Sequence, residues 1–158
     1  MMPQIKFPSL LLLFFSLNVL AQNEGITTFP NFEFPDGKKL KDFTDIGVVL
    51  VYGESNCPAC QRAQVHLQIR YKRWKSWGFP VVYIALDSDK KQLKQNFGHP
   101  PWPIYCDEKS WDSPWVVQAN IDFTPTLFAQ DQNLNQYYQA ENVAQMDLWL
   151  IDNFSDPN

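Results

Sequence analysis

Two uninterrupted apolar runs constrain the fold of this chain more than any other feature. "VVLVY" (48–52) and "FPVVYIALD" (79–87) are rich in β-branched and aromatic residues, which is typical of strands covered on both faces in a parallel sheet. The segment between them predicts a helix from about Pro58 to Trp77, because apolar residues recur there at the spacing of one helical face. The residues of that face are Ala63, Leu67, Tyr71 and Trp74, and Gly78 is the expected stop.

The remaining segments extend this alternation of strand and helix. "FEFPDGKKLKDF" (32–43) places Pro-Asp-Gly between two short alternating segments, which predicts a hairpin before the first strand. After the second strand we expect, in order, a polar helix at 88–98, a short strand at Ile104–Cys106, a helix from Ser113 to about Asn120, an antiparallel hairpin at 123–139 and a last helix capped by Asn142. Together these elements predict an α/β fold, a three-layer domain with a mixed central sheet between helices.

The first 21 residues have the composition of an export signal. Lys6 is their only charged residue, an apolar run from Leu10 to Leu20 follows it, and Val19 and Ala21 supply the small residues of a cleavage site. The run is shorter than the roughly 20 apolar residues that span a membrane, although an uncleaved anchor is the alternative. We therefore expect residues 1–21 to be a signal peptide, and residues 22–158 to form one domain in the periplasm or outside the cell.

The net charge of the chain limits the classes of partner that it can bind. The formal net charge is −4, and loss of the lysine within the signal makes it more negative, which argues against nucleic acid or an anionic membrane surface as a partner. Aromatic residues make up 15% of the chain, a content that excludes a disordered protein. A monomer without a membrane span after signal cleavage is expected.

A Cys-x-x-Cys pair follows the first apolar run, within "YGESNCPACQRAQ" (52–64). This spacing is shared by half of a zinc site, a structural disulfide and a redox-active dithiol. A zinc site needs four ligands, and beyond the pair the chain offers only Cys106, His66 and His99, none at the spacing of a second pair. A disulfide that closes so short a ring removes little entropy from the unfolded chain. Both structural interpretations are therefore disfavoured.

The position of the pair favours the redox interpretation. Cys57 stands where the predicted strand ends and the helix begins, so the helix amides and dipole stabilise its thiolate. Pro58 occupies the first helical turn, where its missing N–H is no loss. Cys60 lies one turn further on, shielded and within reach of the Cys57 sulfur. One nucleophile and one resolving thiol are what thiol–disulfide exchange requires, and such a dithiol carries both electrons without a bound cofactor.

"VVLVYGESNCPAC", the hairpin-like "FPDGKKLKDF" before it and "FTPTLF" after it resemble the thioredoxin-like superfamily. The helix and strand inserted at about 88–106 point to its exported TlpA/ResA-type thiol–disulfide oxidoreductases. The resemblance covers the chain from about Phe29 to Ile151. It implies a thioredoxin-like three-layer α/β/α domain that exchanges disulfides with protein thiols and is served by an unidentified electron donor.

The same resemblance implies roles for individual residues. Cys57 is the expected nucleophile and Cys60 the expected resolving thiol. The peptide bond before Pro125 is expected to be cis, which exposes the backbone of Thr124 to an extended substrate segment. The residues expected to contact the substrate are Thr124, Pro125, Pro58, Ala59 and Asn56. No metal is expected at the site.

The residues around the pair depart from those of its relatives. Thioredoxins carry a buried carboxylate six residues before the first cysteine, where this chain has Val51, and the ResA-like group carries a glutamate three residues after the second, where it has Ala63. Without these acids, we expect the mixed disulfide to resolve slowly relative to typical thioredoxins. A histidine between the cysteines would make the pair strongly oxidising. Because Ala59 stands there instead, a reducing or moderate potential is expected.

Two other functions stay open at this point. The missing carboxylates are compatible with a non-catalytic protein-interaction module that holds a stable Cys57–Cys60 disulfide. Copper delivery is disfavoured because no histidine is placed to join the pair. Glu54 could accept the Cys60 proton, but its loop position favours a solvated charge. Cys106 suits a buried structural side chain, with intermolecular pairing as the alternative.

Overall fold

A computed structural model describes residues 27–155, which contain one five-stranded sheet. Its strands are β1 (Gly47–Gly53), β2 (Val81–Ala85), β3 (Ile104–Tyr105), β4 (Thr126–Asp131) and β5 (Gln136–Ala140). Their order across the sheet is β3-β2-β1-β4-β5. The pairs β1–β2 and β2–β3 are parallel, whereas β4 runs antiparallel to both β1 and β5. The predicted mixed α/β sheet is confirmed.

The helices are α1 (Pro58–Ser76), α2 (Lys90–Phe97), α3 (Pro114–Val117) and α4 (Val143–Phe154), with 3-10 turns at Leu40–Phe43 and Ser110–Asp112. Their ends follow the predicted signals. The side chains of Ser113 and Asn142 accept hydrogen bonds from the first-turn amides of α3 and α4. Gly78 follows α1 with a φ of +81°, a conformation that glycine adopts without penalty. None of the helices within 27–155 is long and apolar enough to cross a membrane.

The core divides into two clusters, one on each face of the sheet. On one face, the predicted apolar side of α1 packs with α4 against alternate residues of β1 and β2, such as Val49 and Tyr83. On the other face, Leu50 and its neighbours pack against the segment that precedes β1 and against Val116 of α3. All seven residues of β1 are buried, which agrees with a central strand covered on both sides.

Two predicted elements are shorter in the structure. The Pro-Asp-Gly turn forms, but the hairpin at 32–43 is reduced to a single bridge between Glu33 and Lys39. The chain then enters the 3-10 turn, where the Asp42 carboxylate accepts a hydrogen bond from the Lys39 amide and the Leu40 side chain is fully buried. The chain therefore turns to bury Leu40 instead of continuing as the second strand of a hairpin. The predicted helix to Asn120 ends at Val117.

A buried carboxylate joins α1 and α4. Asp147 of α4 accepts hydrogen bonds from Arg70 Nε at 2.8 Å, from Arg73 at 2.5 Å and from Trp74 Nε1 at 2.7 Å. Burial alone would raise the pKa of Asp147, but the bonds from Arg73, Trp74 and Arg70 hold it below its usual value. This contact fixes α4 against the helix that begins at the cysteine pair. The predicted signal peptide, residues 1–21, lies outside the described residues.

Candidate active site at the start of the first helix

Cys57 lies just beyond the carboxyl end of β1, where it is the N-cap residue of α1. Its Sγ accepts a hydrogen bond from the backbone N–H of Cys60 across 3.2 Å, and its own N–H donates to the Glu54 carbonyl. Pro58 is the first residue of the helix. The strand-to-helix position expected for the pair is therefore what the structure shows.

The surroundings of Cys57 favour its thiolate. Burial alone would raise the pKa of this thiol, but hydrogen bonds lower it on balance. The donors are the Cys60 thiol, the Cys60 amide, the Thr124 hydroxyl and the Ala59 amide. A thiolate is the nucleophilic form of cysteine, so Cys57 has the electrostatic character of an attacking residue.

Cys60 has the opposite character. Its side chain is fully buried, and burial together with the neighbouring Cys57 raises its pKa to about 12, although the Glu54 amide and the Thr124 hydroxyl act in the other direction. At neutral pH this thiol is protonated and shielded. The two cysteines, both free thiols in the structure, are thus chemically unlike.

Thr124 and Pro125 lie beside the cysteines, at the loop that leads into β4, and the peptide bond between them is cis. Pro125 also lines a groove of about 280 Å³ together with Ala59 and Ala63. Charged or titratable side chains on its walls are Arg62, His66 and Glu141. The structure therefore gathers Thr124, Pro125 and Ala59 around the dithiol, while Asn56 and Pro58 are exposed next to it.

A buried polar cluster holds the loop before Cys57, and sequence patterns did not reveal it. Asp87, at the end of the second apolar run, accepts hydrogen bonds from the Ser55 hydroxyl and from the Ser55 amide at 3.1 Å. The Ser55 carbonyl in turn accepts bonds from Gln61 at 2.9 Å and from Asn96 at 3.4 Å. The only signal was an acidic residue ending an apolar strand. These hydrogen bonds connect the loop before Cys57 to α1 and to α2, and so hold that loop in place.

The two positions where relatives carry an acid hold apolar residues here, and these residues have apolar surroundings in the structure. Val51 and Ala63 both belong to the buried cluster beneath α1. Glu54 is half-buried rather than fully solvated, and burial and the Asp87 carboxylate raise its pKa. This differs from the expectation of a solvated charge, because the loop that carries Glu54 is held by the hydrogen bonds between Ser55 and Asp87.

Cys106 follows β3 and is not part of the Cys-x-x-Cys pair. Its side chain is buried, its thiol donates to the Asp87 carbonyl at 3.1 Å, and burial raises its pKa. This is the environment of a structural cysteine. Within residues 27–155, no three side chains among His, Cys, Asp and Glu are grouped as a metal site requires.

Solved structures share this fold. They include the thioredoxin domain of a thiol-disulfide oxidoreductase from Bacteroides vulgatus, which is 15% identical with a TM-score of 0.71 over 82% of this chain and 97% of that one. A thiol-disulfide oxidoreductase from Bacteroides fragilis is 22% identical, with a TM-score of 0.64 over 78% and 99% of the two chains. StoA from Bacillus subtilis is 19% identical, with a TM-score of 0.58 over 79% and 97%. The predicted thioredoxin-like fold is thereby confirmed.

The fold is thus the one on which solved thiol–disulfide oxidoreductases are built. Residues 27–153 match the model of the AhpC/TSA family. The chain belongs to that family. No curated protein sequence matches it.

Proposed function

We propose that the protein exchanges disulfides with other proteins through Cys57 and Cys60. The observation that supports this most is the unlike character of the two thiols. Hydrogen bonds lower the pKa of Cys57 at the helix start, whereas burial and Cys57 raise the pKa of Cys60 to about 12. Thiol–disulfide exchange needs one thiol that attacks the substrate disulfide and a second thiol that then resolves the mixed disulfide.

In the proposed reaction, the Cys57 thiolate attacks one sulfur of a substrate disulfide. A bond forms between Cys57 and that sulfur, and the other substrate sulfur leaves as a thiolate. Cys60 then loses its proton and attacks Cys57 Sγ, which releases the second substrate sulfur and leaves a Cys57–Cys60 disulfide. The substrate gains two electrons, and an unidentified donor returns the pair to the dithiol.

The groove beside Pro125 is the proposed substrate site. An extended substrate segment would lie along the backbone of Thr124 and over Ala59, with Pro58 and Asn56 at its edge. Arg62 on the helix side and Glu141 give the groove both signs of charge. We propose a reducing or moderate potential, because Ala59 cannot stabilise the thiolate as a histidine would. The export pattern of residues 1–21 supports work in the periplasm or outside the cell.

Trapping of the mixed disulfide tests this proposal. Cys60→Ser retains the nucleophile but cannot resolve, so after incubation with a disulfide-bonded protein such as insulin it should carry a covalent adduct that mass spectrometry detects. Cys57→Ser should carry none, and Cys106→Ser, as a matched control, should behave like the wild type. Equal adducts on Cys57→Ser and Cys60→Ser, or none on either, would contradict the proposal and favour a non-catalytic module.

A further inference from the structure

Tyr83 of β2 is a buried tyrosine whose hydroxyl the fold does not use. Its side chain is fully buried, and its Oη has no hydrogen-bond partner among residues 27–155. Buried polar atoms are paired in the great majority of cases, and an exception calls for an explanation. Tyr52 of β1 provides a contrast, because its buried hydroxyl donates to the Trp115 carbonyl at 3.1 Å.

The Tyr83 hydroxyl lies beside the end of β1 that leads to the cysteine pair. A Cβ added to Gly53, the last residue of β1, would lie 2.1 Å from Tyr83 Oη and 3.3 Å from Cys60 Sγ. Tyr83 Oη and Cys60 Sγ therefore both lie next to the position that a side chain at residue 53 would occupy. Glycine is required there because any side chain would collide with the hydroxyl, so the close approach is built into the strand.

We propose that Tyr83 stabilises the Cys60 thiolate during resolution by donating a hydrogen bond from its hydroxyl to the sulfur. This role depends on the exchange reaction proposed above. Cys60 releases its proton to solvent, its sulfur forms the bond to Cys57 Sγ, and the bond from Cys57 to the substrate sulfur breaks. The departing substrate thiolate takes a proton from solvent. Tyr83 keeps its own proton throughout and acts only as a donor.

The chemistry of the surroundings suits this role. Burial raises the pKa of Tyr83 well above its ordinary value, so the hydroxyl is protonated whenever Cys60 ionises near neutral pH. The titratable groups whose charges act on the hydroxyl are Cys60, Asp87, Cys57 and Glu54. Val51 and Ala63 stand at the two positions where relatives carry an acid, so a neutral donor takes the place of a proton acceptor.

Single-turnover reduction of the aromatic disulfide DTNB separates the two steps. Attack by Cys57 releases the first coloured thiolate, and resolution by Cys60 releases the second. Tyr83→Phe removes one oxygen atom that no described residue bonds. We expect the first phase to be unchanged and the second to slow by at least about ten-fold, the size expected when a hydrogen bond to a charged group is lost. The pH profile of the second phase should move to higher pH.

Tyr52→Phe is the matched control, because it removes an equally buried hydroxyl on the same sheet that lies outside the site. Both of its phases should match the wild type. Gly53→Ala gives a second route, since its Cβ displaces the Tyr83 hydroxyl, and it should also slow the second phase. An unchanged second phase in a folded Tyr83→Phe variant would overturn the role of Tyr83. A wild type without a first phase would instead overturn the exchange reaction itself.

Discussion

The backbone N–H of Cys60 donates a hydrogen bond to Sγ of Cys57 across 3.2 Å, so the buried cysteine helps to ionise the partly buried one. The bond exists because Cys57 is the N-cap of α1 and Cys60 is three residues further on, where the amide has no partner within the helix. A structural feature of every helix start is used here to make two cysteines chemically different.

Thr124→Val should raise the pKa of Cys57. The Thr124 hydroxyl is one of the donors that lower this pKa, and its loss should raise the value, because a hydrogen bond to the thiolate favours the charged form. At any pH below that pKa the thiolate fraction falls, so alkylation by iodoacetamide should slow. Thr126→Val is the control, because the Thr126 hydroxyl bonds the Phe123 carbonyl instead. Identical alkylation profiles for Thr124→Val and wild type would contradict the assignment.

Resolution by Cys60 should depend on pH. Because the pKa of Cys60 is raised to about 12, only a small fraction is thiolate near neutrality, and that fraction grows about ten-fold for each pH unit. The second phase of DTNB reduction should therefore accelerate steadily from about pH 6 to about pH 9. A fast second phase that does not change with pH near neutrality would show that another group removes the proton.

Cys106 should be unreactive in the native protein. Its thiol is buried and bonded to the Asp87 carbonyl, and burial raises its pKa. In the reduced native protein, alkylation followed by peptide mass spectrometry should label Cys57 well before Cys106, which should react only after unfolding. Rapid labelling of native Cys106, or a dimer on non-reducing gels that Cys106→Ser removes, would favour intermolecular pairing.

Asp147→Asn should destabilise the fold by about 2 kcal/mol, the usual cost of losing hydrogen bonds to a charged group whose partners, Arg70 and Arg73, still reach solvent. The pKa of Asp147 is lowered in the folded state, so its contribution is complete above the unfolded value of about 3.9 and is lost as pH falls through the lower folded value. Urea unfolding should show a large difference between wild type and variant at about pH 7 that shrinks in strong acid.

The control for Asp147→Asn is Asp152→Asn on the exposed side of α4, which should change stability little at either pH. A pH-independent difference for Asp147→Asn would mean that packing, not charge, causes the loss.

The fold could be predicted from the sequence because its main strands are continuous apolar runs. Each of β1 and β2 is buried on both faces. The buried face of α1, from Ala63 to Trp74, was predicted by the helical spacing of its apolar residues. The hairpin at 32–43 was overestimated because turn chemistry predicts the turn but not how far the ladder extends. There, burial of Leu40 decides the path of the chain.

The cysteines and the Thr-Pro pair were visible as motifs, whereas the groups that surround them were not. Tyr83 looks like an ordinary strand residue, and only the register of β2 beside β1 brings its hydroxyl close to Gly53 and Cys60. Asp87 looks like an ordinary end of an apolar run, and its bonds to Ser55 cross 32 positions of the chain. Asp147 was equally hidden, since its three partners are more than 70 positions away along the chain. Long-range polar contacts of this kind have no local pattern.

Reduction of insulin by the wild type and by Cys57→Ser, together with the redox potential of the wild-type pair, is the decisive test of the proposed exchange reaction. That reaction requires catalytic reduction by the wild type and by Cys106→Ser and none by Cys57→Ser, and we expect a potential clearly more negative than about −120 mV, the value of a strong thiol oxidant. Insulin reduction that survives the loss of Cys57 would contradict it.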